Sequence, residues 1–201
     1  MQAALHDAYA ADYDQQVSAY GSYLAEDLFG LCYQAIQPGQ VLLDAGIGSG
    51  LCAALFAKAG LVVHGFDFSP AMLDICRAKG IAVDLKQHDL LQAPWPYPPA
   101  AFDHLVCCGV LHFISGLEVI FSQAQRLLRP NGLFAFTSKI PGAALDPQQP
   151  YERQMVGEFE IFSHSSAYIE ALLGRYSFER LKTNRCLVGE EIFQNWVVRK
   201  P

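Results

Sequence analysis

Asp44-Ala45-Gly46-Ile47-Gly48-Ser49-Gly50 sets an acid and three glycines between the apolar run Val41-Leu42-Leu43 and a helix-like stretch beginning at Leu51. Glycine lets a backbone turn sharply and approach a ligand closely. The N–H groups at a helix start are free to donate. A dinucleotide fingerprint would read G-x-G-x-x-G and rest a pyrophosphate on that helix start. From Gly46 the residues run Gly-Ile-Gly-Ser-Gly-Leu, so Leu51 stands where the third small residue belongs. Asp44 would repel a pyrophosphate but suits a ligand that carries an ammonium group. Asp67 closes the next apolar run, where a carboxylate can accept from both hydroxyls of a ribose. Asp89, in His88-Asp89-Leu90, can accept from an adenine amino group while a nearby backbone N–H meets the ring.

These residues must be held by a regular frame, and the chain reads as one. Leu24, Leu28, Leu31, Cys32, Ala35 and Ile36 recur at helical spacing until Pro38-Gly39 stops the helix. Val41–Leu43, Leu61–Phe66, Ile81–Leu85, Phe102–Cys108 and Leu133–Thr137 read as strands. Between them lie a helix from Leu51 to Ala59 and one opened by Ser69-Pro70, with Ser69 as N-cap, and ended by Gly80. Pro94-Trp95-Pro96-Tyr97-Pro98-Pro99 cannot be regular structure. Another helix, marked by Leu117, Ile120, Phe121, Ala124, Leu127 and Leu128, halts at Pro130-Asn131-Gly132. Strands alternating with helices predict a parallel sheet covered on both faces. Residues 139–163 show no clear periodicity, and a short helix covers about 166–173. Phe178–Val188 and Ile192–Val198, joined by Gly189-Glu190-Glu191, should form a hairpin, because three residues are too few for a parallel crossover.

Composition narrows the function. A chain of 201 residues with 52% hydrophobic residues suits one globular domain. Fourteen basic against 20 acidic residues give a net charge of −6, which disfavours nucleic acid as a partner. Cys32, Cys52, Cys76, Cys107, Cys108 and Cys186 have no CxxC spacing and read as buried reduced thiols, so no metal site is expected. The first residues, Met1-Gln2-Ala3-Ala4-Leu5-His6-Asp7, lack the basic and apolar regions of a signal peptide. No apolar run approaches the ~20 residues of a membrane span. A cytoplasmic protein with no membrane partner is expected.

Taken together, the motifs resemble the class I S-adenosylmethionine-dependent methyltransferases of the small single-domain kind. The likeness runs through Val-Leu-Leu-Asp-Ala-Gly-Ile-Gly-Ser-Gly (41–50), Gly-Phe-Asp-Phe-Ser-Pro-Ala-Met-Leu (65–73) and His-Asp-Leu (88–90). It continues in Phe-Asp-His-Leu-Val-Cys-Cys-Gly-Val-Leu-His-Phe (102–113) and Leu-Leu-Arg-Pro-Asn-Gly-Leu-Phe (127–134). The resemblance implies an α/β, Rossmann-like fold: seven strands, mostly parallel, helices on both faces and an antiparallel C-terminal strand. It implies one domain, with an N-terminal helical cover (1–38), a cofactor-binding core (39–138), a substrate cover (139–175) and a terminal β-hairpin (176–201). It implies S-adenosyl-L-methionine as cofactor and S-adenosyl-L-homocysteine as product. Asp44, Ala45, Gly46 and Gly48 would form the loop around the methionine part, met by the Cys107 backbone. Asp67 would hold the ribose, with Phe68 and Met72 near the adenine and Asp89 and Leu90 at its edge. Tyr13 resembles the tyrosine that closes over the cofactor in many relatives. The sequence departs from the family at Ala45-Gly46-Ile47, where Gly-Cys-Gly is commoner; Ala and Ile are expected to be tolerated.

The activity implied is methyl transfer by in-line displacement to a small-molecule acceptor. Alignment and exclusion of water are then the protein's main tasks. His112 is the candidate base, for an acceptor that arrives protonated, and His164 is the second. Phe113, Tyr151, Phe162 and His164 are candidates for the acceptor pocket. Two other functions share these motifs: a non-catalytic S-adenosylmethionine-binding protein, and an NAD(P)-dependent oxidoreductase, which Leu51 and the terminal hairpin disfavour.

Overall fold

The computed structural model describes residues 10–142, 145–146 and 149–201. Met1–Asp7, read above for a signal peptide, lie outside the described residues.

The core is a seven-stranded sheet of order β3-β2-β1-β4-β5-β9-β8. Its strands are β1 (Val41–Ala45), β2 (Val62–Asp67), β3 (Asp84–Gln87), β4 (Phe102–Cys107), β5 (Leu128–Lys139), β8 (Glu179–Val188) and β9 (Glu191–Arg199). The pairs β1–β2, β1–β4, β2–β3 and β4–β5 are parallel. The last strand, β9, runs antiparallel to both β5 and β8. Consecutive residues of each strand feed opposite layers, as the period of two requires. Leu43, Leu105, Phe134 and Phe136 pack on one side, with helices α5 (Glu118–Leu127) and α6 (Ser166–Arg175). Leu42, Val106, Leu133 and Ala135 pack on the other, with α2 (Leu24–Cys32), α3 (Leu51–Lys58) and α4 (Pro70–Lys79). Helix α1 (Tyr13–Ala19) precedes this frame in the chain, with Tyr13 and Asp14 half-buried. Among the described residues no helix is long and apolar enough to cross a membrane.

Local chemistry sets the boundaries. Ser69 caps α4 by accepting from the Met72 N–H at 3.1 Å, Pro70 fills the first turn, and Gly80 ends it at φ 64°. Strand β3 begins three residues later than Ile81, because Ile81 and Ala82 pack against the α3/α4 layer instead of extending the ladder. Leu128 is already extended, but Phe102 pairs with Leu128 and His104 with Leu133. Pro130-Asn131-Gly132 therefore bulge out of the ladder, and continuous pairing starts at Leu133, where the sequence places the strand. Residues 139–163 are not all irregular: β6 (Tyr151–Val156) and β7 (Phe159–His164) form a separate antiparallel hairpin. Its β6 strand is largely exposed and so carries no alternating apolar pattern. The signal that could have found it is Gly157, at φ 60° in a two-residue turn.

Candidate functional site

The glycine loop leaves β1, folds back over β2 and enters α3. Gly46 and Ile47 both donate to the Phe66 carbonyl, at 2.9 and 3.0 Å. Asp67 fixes the other side: its Oδ2 accepts from Gly48 N and its Oδ1 from Ser69 N, each at 2.9 Å. That carboxylate therefore ties the loop to the end of β2. A Cβ on Gly46 would sit 2.8 Å from Val110 Cγ2, and its φ of 80° is left-handed, so only glycine leaves this backbone bare.

A cavity of about 870 Å³ opens above the loop. Asp44, Gly46, Gly48, Asp67, Phe68 and Met72 line it. So do Tyr13, Asp89, Leu90, His112 and Phe113. Asp44 is 2% exposed. Burial pushes its carboxyl up to about 8; the Asp67 carboxylate adds to the rise, and the Ala53 N–H opposes it. Burial likewise pushes the Tyr13 hydroxyl up to about 12, helped by Cys108, Asp67, Asp14 and Asp44. Tyr13 lines the same cavity as Asp44, Asp67 and Cys108.

Five expected residues do not reach this cavity. Ala45 and Cys107 are fully buried and face the α5/α6 layer, because strand alternation turns them to Leu43 and Leu105. Cys108 and Gly109 line the cavity in place of Cys107. Tyr151 and His164 sit at the paired ends of β6 and β7, with Phe162 on the same hairpin, and none lines the cavity. His164 is 1% exposed, its Nε2 lies 3.2 Å from the Ser115 carbonyl, and its ring stacks on Tyr168. Burial lowers its pKa, with the Ser115 bond opposing, and its contacts with Ser115 and Tyr168 brace the hairpin. The helix cap at this point is Ser165, whose side chain accepts from Tyr168 N.

Other groups escape motif reading. Asp14, beside Tyr13, accepts from Ser49 Oγ and from Lys79 Nζ, both at 2.5 Å, and Lys79 also donates to the Ser49 carbonyl at 2.8 Å. This latch joins α1 to the glycine loop and to the end of α4. The proline-rich loop is pinned by Arg126, which donates to the carbonyls of Tyr97 and Trp95, each at 2.9 Å. Trp95 in turn donates from Nε1 to the Leu90 carbonyl at 3.0 Å, fixing the segment that carries Asp89. Adjacent acid and tyrosine at the N-terminus hint at the first group; the second has no sequence signal beyond its aromatic residues.

The model of a methyltransferase domain family matches residues 43–136. The malonyl-[acyl-carrier protein] O-methyltransferase of Serratia marcescens is 32% identical over 106 residues, which are 53% of this chain and 41% of that protein. Human methyltransferase-like protein 27 is 33% identical over 154 residues, 73% of this chain and 61% of that protein. The chain thus spans less than two thirds of either relative. In structure, the chain is similar to the 1,6-didemethyltoxoflavin-N1-methyltransferase of Burkholderia thailandensis, crystallised with 1,6-didemethyltoxoflavin and S-adenosylhomocysteine. That likeness has a TM-score of 0.74 at 18% identity, covers 98% of this chain and 87% of that one, and is a likeness of fold.

Proposed function

We propose that this chain, as a member of the S-adenosylmethionine-dependent methyltransferase family to which its matched domain and its relatives point, transfers a methyl group to a small-molecule acceptor. The family draws that group from S-adenosylmethionine, whose sulfonium supplies the leaving group, so S-adenosylhomocysteine is the product. The residues fit this cofactor. Asp44 offers a buried carboxyl to an ammonium group, and Gly46 keeps the backbone bare beside it. Asp67 offers a carboxylate at the end of β2 to the ribose hydroxyls, with Phe68 and Met72 beside the base and Asp89 and Leu90 at its edge. Tyr13 covers the site and excludes water.

His112 is the candidate base, for an acceptor that arrives protonated. It lies in the turn Leu111–Phe113, with its ring 4.0 Å from that of Phe113 and 5.4 Å from that of Phe193. Those aromatic neighbours limit its rotation and hold it at the cavity wall.

We extend the proposal to the division of the chain. Residues 39–138 hold the cofactor, 1–38 cover the acceptor, and 176–201 complete the sheet and give Val188 and Phe193 to the cavity wall; the expected cover over 139–175 lends the cavity no residue among those described. The six free thiols support a cytoplasmic setting, and the net charge of −6 supports a small molecule over nucleic acid as partner.

The observation that carries the reading is the pair of buried carboxylates, Asp44 and Asp67, at neighbouring strand ends with the Gly48 N–H bonded between loop and strand. Calorimetry with S-adenosylmethionine and with NAD tests it; binding of NAD alone would sink it. Acceptor-dependent release of S-adenosylhomocysteine then separates an enzyme from a binding protein. Asp67→Ala should weaken cofactor binding by about 1–3 kcal/mol, the worth of charge-assisted hydrogen bonds.

A further inference from the structure

The charges around the cavity are all of one sign. Asp14, Glu26, Asp44, Asp67 and Asp89 line it, and among the described residues no lysine or arginine does. The residues outside the described set, 1–9, 143–144 and 147–148, contain neither type. Resting on the methyltransferase reading, three of those acids serve the cofactor: Asp44, Asp67 and Asp89. Asp14 is held by Lys79 and Ser49. Glu26, on the first turn of α2, lines the same cavity and has no part toward the cofactor in that reading.

That space has an apolar and aromatic wall. His112, Phe113 and Ile114 come from the turn after β4, Val188 and Phe193 from the β8–β9 hairpin, and Tyr23 from the start of α2. Among the described residues, Lys79 and Lys139 adjoin residues of the cavity wall, and both are engaged. Lys79 donates to Asp14 and to the Ser49 carbonyl. Lys139, opposite Phe193 in the β5–β9 ladder, is 4% exposed and lies 3.0 Å from Glu191. An anionic substituent entering here would lose water, gain no cationic partner and meet Glu26.

We propose that the acceptor is a flat, largely apolar molecule that is neutral or cationic, with no carboxylate, phosphate or sulfonate away from its reacting atom. A protonated amine on an aromatic body fits best, since Glu26 can face its charge while the ring lies against Phe113 and Phe193.

The test uses the full chain saturated with S-adenosylhomocysteine and the neutral fluorescent probe N-phenyl-1-naphthylamine. Two competitors share one ring system and differ in the sign of their charge: 2-naphthylmethylamine and 2-naphthoate. The amine should displace the probe at a concentration at least about tenfold lower, because a buried charge without a partner costs more than 1.4 kcal/mol. Glu26→Gln, at an exposed helix position, should narrow that gap severalfold. Equal displacement by the two, a preference for the naphthoate, or no binding of the neutral probe would overturn the proposal. So would a gap that Glu26→Gln leaves untouched, since the preference would then arise elsewhere. Failure of S-adenosylhomocysteine to bind would instead strike the methyltransferase reading, and the same competition on the chain alone would still report the charge preference of the cavity.

Discussion

Gly65→Ala, a single added methyl in the middle of β2, should disable the cofactor loop from the far side. Gly65 pairs with Asp44 across the β1–β2 ladder, and its φ is of the ordinary kind, so an alanine there faces no backbone strain. What it meets is Ile47, folded back from the glycine loop. The new Cβ would lie 2.4 Å from Ile47 Cδ1 and 3.0 Å from both Cβ and Cγ2. Cδ1 can swing aside, but Cβ and Cγ2 belong to a β-branched side chain with little χ1 freedom. Relief needs the loop backbone to move by several tenths of an ångström, and the loop is fastened by the Gly46, Ile47 and Gly48 N–H groups. Overpacking of this kind costs about 1–3 kcal/mol, offset by about 0.4–1 kcal/mol from the stiffer unfolded chain. A net loss of roughly 1–2 kcal/mol is expected in urea denaturation. Calorimetry should show S-adenosylhomocysteine binding weakened about tenfold or more, since Gly46 and Gly48 shift with Ile47. Ile47→Ala removes Cδ1 and Cγ2 and should itself cost about 2–5 kcal/mol, being buried. In that background Gly65→Ala should cost far less than it does alone, a coupling of about 1 kcal/mol or more. A Gly65→Ala variant as stable as its parent, or one whose cost ignores residue 47, would refute the reasoning.

Other consequences can be checked in the same preparations. With a folded-state pKa of about 8 against an ordinary value of 3.8, Asp44 binds its proton more tightly when the chain is folded. Its contribution to stability is full below about pH 4 and is lost as pH rises to about 8. Asp44→Asn should abolish that loss in urea melts across the range while abolishing cofactor binding; a variant less stable than its parent at about pH 8 would contradict the assignment. An ammonium ligand needs the carboxylate, so cofactor affinity should climb with pH up to about 8, by as much as tenfold per unit. Lys79→Met cuts the latch to Asp14; with both side chains partly exposed, the cofactor should leave about two- to fivefold faster in stopped flow, and the parent's off-rate alone should rise with salt. Trp95→Phe removes the hydrogen bond to the Leu90 carbonyl and should cost about 0.5–1.5 kcal/mol in denaturation, with binding of adenosine fragments weakened in parallel.

Much of the frame is written locally. Ser69, Pro70 and Gly80 bound one helix by capping chemistry alone, and the structure places all three where that chemistry requires. The apolar runs and the acids that close them mark β1 and β2, because a strand buried on both faces needs no alternation to be seen. The Gly189-Glu190-Glu191 link is too short for anything but a hairpin, and β8 and β9 form one. What failed in the sequence was a matter of which face, or of long-range contact. Cys107 and Cys108 are adjacent and alike, and only the register of β4 decides that the second meets the cavity. Tyr151 and His164 looked like pocket residues, yet pairing in their own hairpin turns them away.

The sequence by itself determined the βαβ order, the glycine loop after the first strand, and the acids Asp44, Asp67 and Asp89 at strand ends, because each follows from residue type within a short span. Tertiary structure decided what surrounds them. Ile47 fits its loop only because Gly65, distant in the chain, lacks a side chain. Asp14 is part of the site only because Lys79 and Ser49 come to meet it. The single sign of the cavity's charge emerges only when residues from five parts of the chain are gathered around one space. Such facts depend on packing between segments far apart in sequence, and no local pattern records them.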